Sequence, residues 1–393
     1  MIIKSVKDAQ DIAQFIKVPV ELYKKHPYWI RPLDKDILSV FDSKKNSIAK
    51  KDNYKLWILV GDNQKQIGRI AAFVNPKTKL KNNDYPVGGI GFFECIDNQE
   101  AANLLFDTAK KWLQQKEVEA MEGPINFGDR DKWWGLLTKG FDEEPNYLAN
   151  YNFEYYQQLF ENYGFQCYFN QFTFKRDVYY DLPENYVASV KRVLANPDFS
   201  FHHIQKKNLD RYIEEFRIVY NKAWAKHLGV SEMKPRQAKA IINSLKPVLD
   251  EKVAWFGYYK EEPIAFFISV PEVNQVFKHI NGKLDWWGKL IFLKHKLFKT
   301  NEKLLGIIFG VIPQFDGKGI THAITYVAQQ TIQQQTKYRT IEMHGIGDFN
   351  PAMIKLVTKL GGTEKSKIHT TYRYLFDPSK PFKRMPVKSK KNE

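Results

Sequence analysis

Cysteine is nearly absent: Cys95 and Cys167 are the only two in 393 residues. Two well-separated thiols cannot build a disulfide framework, and they lack the spacing of a metal site. A reducing compartment, the cytoplasm, is therefore the expected location. No apolar run approaches the roughly 20 residues that a membrane-spanning helix needs; Leu304 to Ile312 falls far short. The opening MIIKSVKDAQDIAQF lacks the basic-then-apolar pattern of a secretory signal. No His, Cys or Asp cluster has metal-ligand spacing, so no metal is expected. Nor is there an aromatic-basic motif of the kind that stacks RNA bases, so nucleic acid is not an expected partner.

Acidic charge is also in deficit. Sixty Lys and Arg against 44 Asp and Glu leave a formal net charge of +16. Such an excess favours anionic partners: a phosphorylated cofactor, an anionic membrane surface or a nucleic acid. Part of it sits in a tail from Lys380 to Lys391 with no apolar periodicity, expected to be disordered. Aromatic residues, by contrast, are abundant (28 Phe, 21 Tyr, 9 Trp), enough for two cores. At this length two domains are the natural expectation.

Periodicity gives the same order of elements twice. In the first half, Ala9 to Tyr23 reads as a helix, and Lys55 to Val60 and Ile67 to Val74 as paired strands. Val87 to Cys95 suits a central strand, and Asn98 to Gln115 is an amphipathic helix. A short strand (119–123), a helix ended by Gly164 and a closing strand (167–175) follow. In the second half the helix spans 208–224, the hairpin 253–259 and 264–270, and the central strand 304–312. A helix (321–334), a strand (340–344), a helix stopped by Gly361-Gly362 and a closing strand (370–376) complete it. The expected units are 1–180, 181–378 and a basic tail, 379–393.

The most informative stretch is LLGIIFGVIPQFDGKGITHA, Leu304 to Ala323. An apolar strand enters a Gly-rich loop and then a helix. Gly317 and Gly319 let the backbone turn tightly and approach a ligand. The uncovered N–H groups and dipole of the next helix start suit an anion such as a pyrophosphate. No Gly-Lys-Ser/Thr closes the loop, so it is not a Walker motif, and no third Gly makes it a dinucleotide fingerprint. An ordinary strand-to-helix connection explains the same residues.

Taken with FNPAMIKLVTKLGG before the last strand, this loop makes the second half resemble the GNAT (Gcn5-related N-acetyltransferase) fold. The first half resembles it in element order. The whole chain is similar to a bacterial family of tandem GNAT-like proteins through GRIAAFVN, GGIGFFECIDNQEAANLLFDTAKKWL, EGPINF, GLLTKGFDEEP, YNKAWAKHLGV and VPEVNQVFKHINGKL. The resemblance implies an α/β (α+β) architecture of two GNAT-like domains in tandem, each a mixed, mostly antiparallel sheet flanked by helices. It implies acetyl-CoA or a longer acyl-CoA as donor and an amine as acceptor. Gly310, Val311 and Ile312 would then lie along the pantetheine. Phe315, Gly317, Lys318, Gly319, Ile320 and Thr321 would wrap the pyrophosphate, with Asn350 near the cofactor or capping the helix at Pro351.

Two positions depart from the family pattern. Asp316 stands where the loop usually carries Gln or Arg, with Thr321 at its last small position. Val357 stands where many members carry an acid Tyr for the leaving thiolate; Tyr372 and Tyr374 are possible substitutes. For the base, Glu342 and His344 alternate on one strand and so face one side. An ion-paired Glu and a core His are the structural alternatives. His322 could approach the phosphates or lie on a helix surface, and Asn221, Trp224 and His227 share a helix face. The first half has no Gly-x-Gly loop after its central strand, so its cofactor site is expected to be degenerate.

Between Gly282 and Lys303, a helix would align Trp286, Leu290, Leu293 and Leu297 between lysines. It could pack on the core or lie in a membrane interface. The second option implies peripheral contact with an anionic membrane and a lipid amine as acceptor, and related chains resemble bacterial enzymes that N-acylate long-chain bases. Two other functions fit a tandem scaffold: transfer from aminoacyl-tRNA, and acyl-CoA or lipid binding without catalysis.

Overall fold

The computed structural model describes residues 1–76, 78–80, 85–128, 130–224 and 232–387. Thirteen strands lie among them: β1 (Ile2–Ser5), β2 (Tyr54–Val60), β3 (Gln66–Phe73), β4 (Val87–Cys95), β5 (Ala120–Gly123), β6 (Leu136–Lys139), β7 (Gln166–Asp177), β8 (Phe199–His203), β9 (Ala254–Tyr259), β10 (Glu262–Pro271), β11 (Lys303–Val311), β12 (Thr340–Gly347) and β13 (Thr363–Leu375). The α-helices are α1 (Ala9–Leu22), α2 (Asp34–Val40), α3 (Gln99–Gln114), α4 (Tyr156–Tyr163), α5 (Glu184–Leu194), α6 (Leu209–Trp224), α7 (Pro235–Leu245), α8 (Asn274–Phe277), α9 (Trp286–Phe298), α10 (Ile320–Gln335) and α11 (Pro351–Thr358). The expected helices and strands are present, and the architecture is the expected mixed, mostly antiparallel sheet flanked by helices.

All thirteen strands join in one sheet, ordered β1-β2-β3-β4-β5-β13-β7-β12-β11-β10-β9-β8, with β6 beside β13. The two halves are mirror-ordered about β13 and β7, and they exchange their closing strands. β7, from the first half, pairs with β12; β13, from the second, pairs with β5. The two long strands also pair with each other from Thr363/Arg176 to Arg373/Gln166. Strand pattern fixes which residues face the core but not which neighbour a strand takes.

Parallel pairing occurs twice among the described residues, and each pair is short: Val87–Gly89 with Ala120–Glu122, and Lys303–Gly306 with Thr340–Met343. Beyond the first pair the chain closes up. Ile125 N–H donates to the Ile90 carbonyl at 2.8 Å. Gly91 lies so close to the Ile125 carbonyl that a Cβ there would sit 2.0 Å from its oxygen. Beyond the second pair the strands diverge and stay apart.

Apolar packing follows the helical stripes. In α3, Ala101, Ala102, Leu105, Phe106, Ala109 and Leu113 bury against β3 and β4. In α6, Phe216 and Trp224 pack on Phe266, and Trp224 and Phe266 cover Gly310. Residues 379–387, expected to be disordered, lie back across both halves: Met385 N–H donates to the Tyr168 carbonyl of the first and Arg384 pairs with Asp348 of the second. The rest of the basic tail and His227 lie outside the described residues. Among the described residues no helix is long and apolar enough to cross a membrane.

Candidate active site

β11 lies deep inside the sheet, yet Ile307 is 44% exposed. Two features cause this. β12 leaves β11 after the Gly306–Met343 pair. On the other edge, the register against β10 jumps from Ile308/Ile268 to Gly306/Ser269, so Ile307 is a bulge residue with no partner opposite. The far part of β11 thus offers an open backbone edge, the situation in which an extended ligand can add to a sheet.

That edge borders a groove with a cavity of about 140 Å³. Phe267 and residues 306–309 form one wall, Ile341, Met343 and Ile346 the other. Thr321, Thr325 and Gln329 of α10 and Met353, Leu356 and Val357 of α11 cover it. The walls are mainly apolar. Val357, where an acid Tyr was sought, is part of this wall and 1% exposed.

Pro313–Phe315 form a 3-10 turn after the strand, and the Phe315 ring is buried. Gly317 (φ 72°) and Gly319 (φ 83°) take the left-handed conformation that glycine tolerates best. A Cβ on Gly317 would meet nothing within 4 Å, so the loop surface is open there. At Gly319 a Cβ would lie 2.7 Å from Ser189 Oγ, because α5 packs against the start of α10. Gly319 is also the N-cap of α10 and so brings no side chain of its own to the first-turn N–H groups. Those donors suit an anion. Lys318 Nζ stands 5.2 Å from the Phe315 ring centre.

Asn350 caps α11, its Oδ1 accepting from Met353 N–H at 3.2 Å. His322 packs against Tyr186 with ring centres 3.9 Å apart and planes tilted by 32°. Asn221 grips both backbone groups of Met233, and Trp224 is packed. Of the second half's pantetheine candidates, Gly310 and Ile312 are buried, while Val311 is partly exposed.

Glu342 and His344 do come together, on the sheet face opposite α11 and at the mouth of the split. Glu342 is 1% exposed and lies between two ammonium groups, Lys303 Nζ at 2.7 Å and Lys367 Nζ at 3.1 Å. Asn146 Nδ2 donates to the same carboxylate at 2.7 Å. Burial alone would raise this carboxyl, but Lys367 and Lys303 outweigh it and hold its pKa near 2. Lys367 also reaches Glu143, which pairs with Lys175. The Glu342 carboxylate is therefore fully committed.

His344 is different. Its Nδ1 lies 2.9 Å from Thr173 Oγ1, and its ring meets His369 edge-on at 5.6 Å. Burial lowers its pKa to about 4, so the imidazole is neutral at physiological pH. His369, lowered to about 3 by burial, lies near the Asn150 carbonyl, 3.0 Å from its Nε2; since a carbonyl only accepts, that nitrogen carries the hydrogen. A bulge at His344-Gly345, with Gly345 at φ 76°, sets the ring's direction.

Tyr372 is not brought to this place. The strand exchange carries it into the first half, where it packs on Phe160 and its hydroxyl donates to Glu161. Tyr374 lies there too, against Tyr163. Sequence reasoning missed Lys303, Lys367, His369, Thr173, Glu143 and Asn146. One signal was present: Lys367-x-His369 on β13 repeats the alternation of Glu342-x-His344 on β12. Among the described residues no group of three or more His, Cys, Asp or Glu side chains is placed to hold a metal.

No family model matches the chain. It is 25% identical over 374 residues to a bacterial ceramide synthase of Caulobacter vibrioides, covering 94% of this chain and 95% of that protein. It is 22% identical to protein YghO of Escherichia coli, covering 92% of each. Among solved structures, it is similar to a tandem GNAT protein of the clavulanic acid biosynthesis pathway, at TM-score 0.52 and 9% identity, over 96% of this chain and all of that one. It also matches the glucosamine N-acetyltransferase region of a fungal multi-domain β-N-acetylglucosaminidase, at TM-score 0.53 and 11% identity, over 95% of this chain and 38% of that one. With the split central strands and the glycine loop at a helix start, these likenesses give the identification: the protein has the GNAT fold, in its tandem form.

Proposed function

We propose that the chain is an acyl-CoA-dependent N-acyltransferase acting on a lipid amine. The observation that carries this is the open edge of β11, facing an apolar groove that ends at the glycine-capped start of α10. A pantetheine arm is an extended chain with two amides, able to pair with such an edge, and its pyrophosphate suits the loop from Phe315 to Thr321. The apolar walls accommodate the donor's acyl portion. An acceptor amine on a lipid fits the name of the Caulobacter relative, a ceramide synthase.

In the reaction the amine nitrogen attacks the thioester carbonyl carbon; the C–N bond forms and the C–S bond breaks. His344 is the best-suited base for the nitrogen's proton, because it is neutral and stands at the mouth of the split. The N–H at the Ile307 bulge is a donor for the developing oxyanion. The departing thiolate, with a thiol pKa of about 8.5, leaves without an obligatory acid, which tolerates Val357 in place of Tyr. Glu342 acts as an anchor, fixing Lys303 and Lys367 beside the imidazole.

Melting of the purified protein with CoA, acetyl-CoA and a long-chain acyl-CoA tests the donor. A ligand held only by the native state at a hundred times its Kd adds about 2.7 kcal/mol. The expected result is a rise with CoA and a larger one with the long chain. No rise with any of the three would overturn the reading.

A further inference from the structure

Helix α9 packs, but by the face opposite to its apolar stripe. Ile291 and Phe292 lie inward, with Phe292 against Phe277 of α8. The stripe of Trp286, Leu290, Leu293 and Leu297, widened by Trp287 and Phe298, points to solvent. Trp286 is 65% exposed, Trp287 68%, Leu297 70% and Phe298 66%. A soluble monomer rarely leaves so large a contiguous apolar patch uncovered. Within the helix the charge has one sign: Lys289, Lys294, Lys296 and Lys299 occur in this stretch, no acidic residue lies between Trp286 and Glu302, and Asp285 just before it is the N-cap, accepting from Gly288 N–H.

We propose that α9 docks the protein on an anionic lipid bilayer, lying in the plane of its interface. Two observations favour this occupant over a second copy of the chain, and a third excludes a spanning helix. Adjacent tryptophans at the helix start suit the headgroup boundary, where an amphipathic ring keeps its N–H wet. Lysines on both flanks and within the stripe would repel the same face of another copy, whereas they attract acidic headgroups and let their stems follow apolar surface. Thirteen residues make about 20 Å of helix, too short to cross the roughly 30 Å of hydrocarbon. The helix lies in the connection between β10 and β11, whose first residue, Lys303, is the ion-pair partner of Glu342. Docking there deepens the lipid-amine reading, on which only the choice of acceptor rests; the surface itself does not depend on it.

The test is co-sedimentation of the full chain with vesicles of phosphatidylglycerol mixed into phosphatidylcholine, and with phosphatidylcholine alone. Two double variants are compared, Trp286→Glu/Leu297→Glu and Lys289→Glu/Lys294→Glu. Binding is expected on the anionic vesicles, weaker on the neutral ones and weaker in high salt, with each variant at least about tenfold weaker than the parent. All four side chains are exposed, so the fold and the CoA-dependent melting rise should persist. Equal binding by parent and variants overturns the proposal. So does a parent that ignores vesicles but self-associates until the stripe is charged. A missing CoA response with vesicle binding intact would instead sink the transferase reading alone.

Discussion

At the scale of single residues, the site divides its two candidate bases by environment. Glu342 is an anion held by Lys303, Lys367 and Asn146. Glu342→Gln should therefore act on stability, by about 3 kcal/mol, because it takes the carboxylate from Lys303 and leaves the buried Lys367 ammonium with Glu143 alone. Urea unfolding checks this. His344→Ala should lower kcat about 10²- to 10⁴-fold while the CoA-induced melting rise persists; an unchanged kcat would remove His344 from the chemistry. Acid should unfold the protein early. His344 and His369 titrate near 4 and 3 when folded, against about 6.5 when unfolded. Below about 6.5 the unfolded chain binds more protons, so stability falls with pH, by an order of a few kcal/mol down to pH 4. Glu342, near 2 when folded and about 4.3 when unfolded, adds a loss of the same sign below pH 4.5. His369→Gln should flatten the upper part of a stability–pH curve. The alternation of Glu342 and His344 was legible because strand period alone puts them on one face. Their partners were not, since Lys303, Thr173 and Lys367 come from three other strands.

At the scale of elements, the loop and helix start were legible almost whole. Glycine spacing, the apolar strand before and the amphipathic helix after are local properties, and the structure keeps them at Lys303–Val311 and Ile320–Gln335. The divergence of β11 and β12 was not, because pairing distance is not written in either strand. Gly319 also serves packing: with φ 83° and Ser189 Oγ at 2.7 Å from an added Cβ, Gly319→Glu would disturb α5 as well as an anion site. Lys318→Glu is the cleaner probe. Its side chain is exposed, so it should weaken CoA binding about fivefold at low salt, with little change in melting of the free protein. Titration calorimetry at two salt concentrations would show it, and an affinity independent of the substitution would move the phosphates elsewhere. α9 shows the limit of periodicity. The spacing identified the stripe correctly, yet only its setting on α8 revealed that the stripe faces outward.

At the scale of the whole molecule, the exchange of β7 and β13 makes each half incomplete alone. β13 supplies Tyr372 to the first half's core and Lys367 to the charge cluster, while β7 closes the second half beside β12. The full chain should unfold in one cooperative transition, and residues 1–180 or 181–378 expressed alone should lack it; calorimetry on the three proteins decides. The twofold order also shows why the halves differ. In the first, Ile125 fills the gap beside Gly91, whereas in the second the gap stays open with a glycine loop at its end. By itself the sequence determined the element order, its duplication, the glycine loop and the faces on which Glu342, His344 and the α9 stripe would lie, because each follows from local backbone geometry and side-chain period. Tertiary structure alone decided that the closing strands change places, that Tyr372 leaves the site, that Glu342 is an anchored anion and that β11 keeps an open edge. Those depend on contacts between residues far apart in the chain, and no local pattern specifies them.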